Sequence, residues 1–277
     1  SLGIMTDGDK ALTGADVERM SDEELQSVAG SVSVFARVAP EHKVRIVEAY
    51  QQRGNIVAMT GDGVNDAPAL KLADIGVAMG ITGTDVSKEA ADVVLADDNF
   101  ATIVSAVSEG RRIYDNLMKS IQFMLSTNFG EIMVLFVAVI VGHSAPLLPI
   151  HILWINLVTD SLPALALSFD PAERDIMRRG PINSKQGIMT RGFALRTLLQ
   201  GALVATASLL AYNIGAHTSG EAAQTMTFAT VAFSQMTLIF SIRSGMHAAV
   251  RGLFANGFLW GAIAFVLVLM LGVMLLP

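Results

Sequence analysis

Five stretches of about 20 mostly apolar residues, at roughly 120–141, 148–169, 193–215, 224–242 and 253–276, constrain this chain more than anything else in it. Within lipid an unpaired backbone N–H or C=O costs several kcal/mol, so runs of this length fold as helices. The expectation is an α-helical transmembrane bundle of five spans. Composition agrees, since 52% of the 277 residues are hydrophobic and only 16% charged, outside the usual balance of soluble proteins. Charge is unevenly spread: residues 1–120 hold 19 Asp and Glu against 11 Lys and Arg, and the remainder hold 6 against 8. An acidic first part lacks the basic face that nucleic acid requires, so no nucleic-acid partner is expected. Without cysteine, neither a disulfide nor a thiolate metal site can form within these residues.

The connecting loops give an orientation, because cytoplasmic loops carry excess Lys and Arg. Arg174, Arg178, Arg179, Lys185, Arg191 and Arg196 crowd 170–196, and Arg243 and Arg251 flank the turn at 243–251. The loops at 142–150 and 216–223 hold neither residue type. The reading is a multi-pass integral membrane protein with its first part, the basic loop and the 243–251 turn on the cytoplasmic side. No Met-led signal precedes Ser1, and Pro277 directly follows an apolar run. Both ends look like cuts in a longer polypeptide.

Before the spans, β-rich runs at 32–35, 56–59, 75–79 and 93–95 alternate with helical patterns at 41–52, 67–73 and from about Thr84. Such alternation predicts a parallel sheet with crossover helices. Pro40 suits a first helical turn, where its missing N–H costs nothing. Asn99 suits the cap of a helix that starts at Phe100 and, meeting no proline, continues to about Val141. The domains expected are 1–100 and 101–277, the second comprising this stalk helix and the spans.

Two short strings carry the chemistry. In Thr60-Gly-Asp-Gly-Val-Asn-Asp-Ala-Pro68 a strand at 55–60, read as buried, ends in a glycine turn, the edge of an α/β sheet where ligands bind. Asp62 and Asp66 would meet there, and two hard carboxylates suit magnesium together with phosphate oxygens. Lys43 on the preceding helix could neutralise a transferred phosphoryl group. An Asp-Gly turn with solvated acids is the plain alternative. The second string, Asn156-Leu-Val-Thr-Asp160, lies inside a span, as does Glu131. A charge at the bilayer centre costs roughly 3 kcal/mol or more. Asn128 and Glu131 share one helix face, and Asn156, Thr159 and Asp160 another, so five oxygen-bearing side chains could converge. Pro163 cannot donate to the Thr159 carbonyl, which frees a backbone oxygen beside Asp160. Hard oxygen donors favour calcium, sodium, potassium or a proton over copper or zinc. The alternative is interhelical hydrogen bonding.

Thr60–Pro68 resembles the hinge motif of P-type ion-transporting ATPases, whose phosphorylation domain has a haloacid-dehalogenase-like α/β fold. Ala36-Arg-Val-Ala-Pro-Glu-His-Lys43, Asp97-Asp-Asn-Phe100 and Asn156–Asp160 are similar to that family too, so the likeness covers essentially the whole chain. The resemblance implies that residues 1–100 are the carboxy-terminal part of a phosphorylation domain. It further implies that Asp62 ligates Mg²⁺, that Asn65 and Asp66 arrange the phosphorylation site, that Lys43 contacts the phosphoryl group, and that Arg37 and Asn65 lie near ATP. Asn128, Glu131, Asn156, Thr159 and Asp160 look most like the ligands of sarco/endoplasmic reticulum-type calcium pumps, whereas sodium/potassium pumps typically carry a second Asp where Asn156 stands. Gln235 replaces an expected Glu ligand, which weakens one of two ion positions. The Asp-Lys-Thr-Gly nucleophile, the actuator, the nucleotide-binding domain and the earlier spans are not found in these residues, and they would be its partners along with the lipid bilayer. The expectation is part of an ATP-driven calcium pump working through an aspartyl-phosphate. The alternatives are a pump for sodium, potassium, manganese or protons, and a non-catalytic ion-binding membrane subunit.

Overall fold

The computed structural model describes residues 8–182, 187–244 and 254–275. Lys185, Arg251 and most of the 243–251 turn, which entered the charge argument, lie outside the described residues. Contacts divide the chain into two compact units, Ser1–Ser105 and Ala106–Pro277.

The first unit runs β1 (Lys10–Thr13), α1 (Gly14–Arg19), α2 (Asp22–Ala29), β2 (Val32–Ala36), α3 (Pro40–Gln52), β3 (Ala58–Gly61), a 3₁₀ turn (Val64–Asp66), α4 (Ala67–Leu72), β4 (Ile75–Met79), α5 (Asp85–Ala90) and β5 (Val93–Leu95). Thr13 with Asp16 and Ser21 with Glu24 form reciprocal capping boxes that start α1 and α2. Pro40 opens α3, as its missing N–H favours.

Every strand pair among the described residues is parallel, as the alternation predicts. The strands nevertheless form two sheets, β1–β2 and β3–β4–β5, instead of one. After β2 the backbone turns through Arg37 in the left-handed region, with φ of 54°, and α3 then packs against both α2 and α4. A helix wedged between two others does not return the chain beside β2, so β3 begins a new ladder. The strand expected from residue 55 starts only at Ala58, and Ile56 is 53% exposed where a buried position was expected. Residues 10–29, which the β-rich pattern passed over, contribute β1, α1 and α2.

α6 (Phe100–Val141) is a single helix of 42 residues, about 63 Å long at 1.5 Å per residue. Asn99 caps it, its side-chain oxygen accepting the Ala101 N–H at 3.0 Å.

The second unit holds the rest of α6, then α7 (Pro149–Trp154), a π-helical segment (Ile155–Asp160), α8 (Ser161–Leu167), α9 (Arg191–Ala216), α10 (Gly220–Ser244) and α11 (Gly257–Leu275). α7, the π segment and α8 form one span, so among the described residues five helical segments are long and apolar enough to cross a membrane. Their shared core includes Phe123, Ile155, Leu167, Val204, Ile239 and Leu259. α6 and α9 approach closely at Gly130 and Gly201, where a Cβ on Gly201 would lie 2.7 Å from the Ser126 carbonyl oxygen. Small residues permit such helix contact in lipid, where apolar burial itself gives little drive.

Asp170, just after α8, is buried and fixes that end of the bundle. Its carboxylate accepts Arg243 Nε at 2.7 and 2.9 Å and Asn256 Nδ2 at 2.8 Å. Its carbonyl accepts Asn116 Nδ2 at 2.8 Å and Arg112 Nη1 at 3.0 Å. The second span is therefore anchored to α6, to α10 and to the approach to α11. The basic loop joins the same region, with Arg179 Nη2 2.6 Å from Asp115.

Candidate functional site

In the first unit the end of β3 supplies a compact anionic turn. Asp66 is only 6% exposed. One of its oxygens is ion-paired with Lys43 Nζ from α3, and the other accepts the N–H groups of Asp62 and Gly63, each at 3.3 Å. Burial pushes the Asp66 carboxyl up, but the Lys43 and Gly63 hydrogen bonds, the Lys43 charge and the Asp62 N–H outweigh it and hold the group below its ordinary value. Gly61 is required here, because a Cβ would lie 2.5 Å from Asp66 Cβ.

Asp62 is treated differently. Its carbonyl accepts the Thr84 N–H at 2.9 Å and Ser87 Oγ at 3.2 Å, while its carboxylate is exposed and makes no hydrogen bond among the described residues. A pinned peptide thus presents one exposed hard oxygen pair, next in the turn to an aspartate already paired with a lysine. Asn65 and Arg37 are both exposed, and among the described residues neither side chain hydrogen-bonds to Asp62, Asp66 or Lys43.

In the second unit Glu131 and Asp160 are 4% and 2% exposed. Glu131 accepts Asn156 Nδ2 at 3.1 Å on one oxygen and Gln235 Nε2 at 3.2 Å on the other. Asp160 accepts Thr127 Oγ1 at 2.8 Å. Residues from α6, the π segment and α10 therefore meet in one cluster. Asp160 Oδ1 and Gln235 Oε1 in this cluster, and Oγ1 of the adjacent Thr159, are buried and have no hydrogen-bond partner among the described residues.

The structure brings most of the expected side chains together, with two differences. The amide nitrogen of Asn128 donates to its own helix, at Met124 O and 2.7 Å, and among the described residues no hydrogen bond ties Asn128 to Glu131 or Asp160. Its neighbour Thr127 is the α6 residue hydrogen-bonded to Asp160. It lies four residues before Glu131 and shares its face, the spacing that could have revealed it. The π segment was not anticipated either. Ser161 Oγ reaches back five residues to Asn156 O at 2.8 Å, and single-turn π interruptions of this kind are frequent at functional sites. Among the described residues no three His, Cys, Asp or Glu side chains converge. The donor set is two carboxylates with neutral amide and hydroxyl oxygens, a hard set that suits calcium and similar cations.

Residues 144–277 match the family described as cation transporting ATPase, C-terminus. Residues 1–74 and 43–107 match two families, each described as haloacid dehalogenase-like hydrolase. Across its full length the chain is 49% identical to the calcium-transporting ATPase of Bacillus subtilis. The chain belongs to the cation-transporting P-type ATPases. It spans 31% of the length of that relative, so it corresponds to less than a third of a P-type ATPase. Over 88% of the chain and 27% of the relative, it is 47% identical to a probable cation-transporting ATPase F of Mycobacterium bovis. It is also 48% identical to the endoplasmic reticulum calcium ATPase srcA of Aspergillus fumigatus, over 73% of the chain and 21% of the relative. In this P-type ATPase chain a haloacid-dehalogenase-like α/β part comes first and a helical part with five candidate spans follows.

Proposed function

We propose that this chain supplies the magnesium and phosphate turn and most of the ion site of an ATP-driven pump. That pump moves calcium across a membrane through an aspartyl-phosphate formed on a segment not within these 277 residues. The observation that carries the reading is the trio of buried, unpartnered oxygens on Thr159, Asp160 and Gln235 beside two carboxylates in apolar spans. Oxygens left unpaired at that depth cost several kcal/mol unless a cation meets them. The names of the relatives, calcium-transporting ATPase and endoplasmic reticulum calcium ATPase, support calcium as the cargo.

Residues 1–100 then act as the carboxy-terminal part of the phosphorylation domain and 101–277 as stalk and membrane domain. The excess of Lys and Arg at 170–196 supports a cytoplasmic first part. Asp62, whose carboxylate is free of protein partners, is the residue suited to hold Mg²⁺, which when bound neutralises phosphate oxygens. Lys43 is ion-paired with Asp66 and so held ready to share its charge with an incoming phosphoryl group. Asn65 and Arg37, both exposed, are free to meet nucleotide. Glu131 and Asp160 bind the cargo, with Asn156, Thr159, Thr127 and Gln235 completing the cluster. Asn128 can join through its Oδ1 while its Nδ2 still donates to Met124 O.

In the full-length gene product Asp160→Asn is expected to abolish calcium-dependent phosphorylation from ATP. Normal calcium-dependent phosphoenzyme in that variant refutes the assignment. One feature favours a second reading, a pump for another hard cation: Gln235 brings a neutral amide to the cluster. Activation of ATP hydrolysis by calcium, manganese, sodium and potassium, compared at equal ionic strength, separates the two.

A further inference from the structure

Asp98 lies immediately before α6 with φ of 49°, a conformation that non-glycine residues adopt at a cost and in which Asp is enriched. One of its oxygens accepts the N–H groups of Gly80 and Ile81 at 2.6 and 2.9 Å. The other accepts the Thr82 N–H and Thr82 Oγ1, both at 2.8 Å. Led by the Ile81 hydrogen bond and opposed by desolvation, these contacts hold its carboxyl at about 2. The neighbouring Asp97 does something else: its carboxylate accepts the Asn99 N–H at 3.2 Å and Thr102 Oγ1 at 2.7 Å, which secures the first turn of α6.

The loop gripped by Asp98 leads directly to the Asp62 peptide. Thr84 donates its N–H to the Asp62 carbonyl, and Ser87, fully buried, donates its hydroxyl to the same oxygen. The loop has little room to shift, since a Cβ on Gly80 would lie 2.5 Å from the Leu95 carbonyl oxygen and one on Gly83 2.0 Å from that of Met79. Hydrogen bonds therefore run from the residues that start α6, through residues 80–84, to the peptide whose carboxylate is exposed and unpaired.

We propose that Asp98 is a positioning residue for the magnesium and phosphate site: by gripping the 80–84 loop it sets the Asp62 peptide, and hence the carboxylate offered to the metal, relative to the start of α6. The inference rests on the reading of Asp62 as the Mg²⁺ ligand. Asp98 itself touches neither metal nor phosphate. The positive φ, together with four donors from three consecutive residues converging on one carboxylate, is what points to a positional demand.

The test uses the full-length gene product in membranes, phosphorylated by inorganic phosphate without calcium while Mg²⁺ is varied. Asp98→Asn tolerates the same φ but replaces one acceptor oxygen with a donor. It is expected to raise the half-saturating Mg²⁺ about tenfold, as loss of a supporting partner behind a metal ligand commonly does, while equilibrium binding of radioactive calcium stays unchanged. Thr82→Ala is expected to shift Mg²⁺ dependence in the same direction by less, and Thr82→Ser to restore it. Where Asp98→Asn fails to accumulate, the Thr82 pair decides. Unaltered Mg²⁺ dependence in Asp98→Asn, or in both Thr82 variants, overturns the inference. Asp62→Asn separates the two levels. If it phosphorylates normally, the reading of Asp62 falls and takes this one with it. If it is inactive while the Asp98 and Thr82 variants behave as wild type, only the role of Asp98 falls.

Discussion

The two anionic sites of this chain are built on opposite principles. In the α/β unit Asp66 is satisfied by neighbours three and four residues away and by one lysine from the preceding helix, and the unpaired carboxylate of the turn, that of Asp62, faces solvent. In the helical unit the partners are 25, 33 and 104 residues apart in sequence, and the unpaired oxygens are buried. A local turn can hold negative charge ready because water covers what the protein does not. A site within apolar helices has no such cover, so its unsatisfied atoms themselves point to a visiting ligand.

The contrast breaks most sharply if charge removal inside the bundle has little effect. Glu131→Gln keeps the shape and keeps acceptor and donor groups near Asn156 and Gln235, but removes one of only two carboxylates. Calcium affinity of the full-length gene product, measured by equilibrium binding, is expected to fall on the order of a hundredfold, because affinity at oxygen sites follows ligand charge. An affinity within a factor of two of wild type leaves the cluster as interhelical hydrogen bonding and nothing more.

On the α/β side the corresponding change is Lys43→Ala. It leaves Asp66 buried with only its backbone donors, and removes the positive charge paired with it. Phosphorylation by inorganic phosphate is expected to weaken roughly tenfold, the scale of one charge-assisted contact. Calcium affinity at equilibrium should not follow, and a parallel loss of both would mean that the lysine serves folding instead of the phosphate site.

What the sequence disclosed follows the same divide. Thr60–Pro68 was readable because the turn itself is written in consecutive residues, its Asp66 accepting from Asp62 and Gly63, and the unbroken α6 was readable because no proline interrupts residues 100–141. Five spans followed from apolar length alone. Residues 10–29 were missed because short capped helices carry weak periodicity, and the splitting of the sheet because strand pairing depends on where α3 packs. In the bundle, carboxylates at lipid depth were conspicuous. Which neutral side chain turns toward them was not, since Thr127 and Asn128 are adjacent and only the rotation of α6 chooses between them. The π segment leaves no residue signature at all.

A smaller effect tests the local character of the α/β unit through pH. The folded-state value for Asp98 is depressed to about 2 from 3.8, so its contribution is fully present above the unfolded value and is lost as pH falls through the folded one. Asp66, also depressed, acts in the same direction. Hydrogen exchange of the 80–84 segment should stay protected, after correction for intrinsic rates, down to about pH 4 and lose protection between about 4 and 2. In Asp98→Asn the Asp98 part of that pH dependence should be gone, leaving a lower and flatter protection. A wild-type segment already unprotected at neutral pH would remove the distinction between a gripped loop and an ordinary one.

The finest comparison lies within α6, between neighbours. Asn128 donates to the Met124 carbonyl of its own helix, so Asn128→Ala loses one contact to a carbonyl that already serves the helix ladder. A change of about 1 kcal/mol or less is expected, severalfold in calcium affinity at most. Thr127→Val keeps the β-branched shape but removes the hydroxyl that donates to Asp160, leaving both carboxylate oxygens of that residue buried without a partner. Its cost should be the larger, about 1–3 kcal/mol in site stability, seen as altered calcium affinity with expression unchanged. The reverse order, Asn128→Ala severe and Thr127→Val mild, would mean that α6 rotates on binding to bring Asn128 inward. The cluster described here would then be the cation-free arrangement of the site.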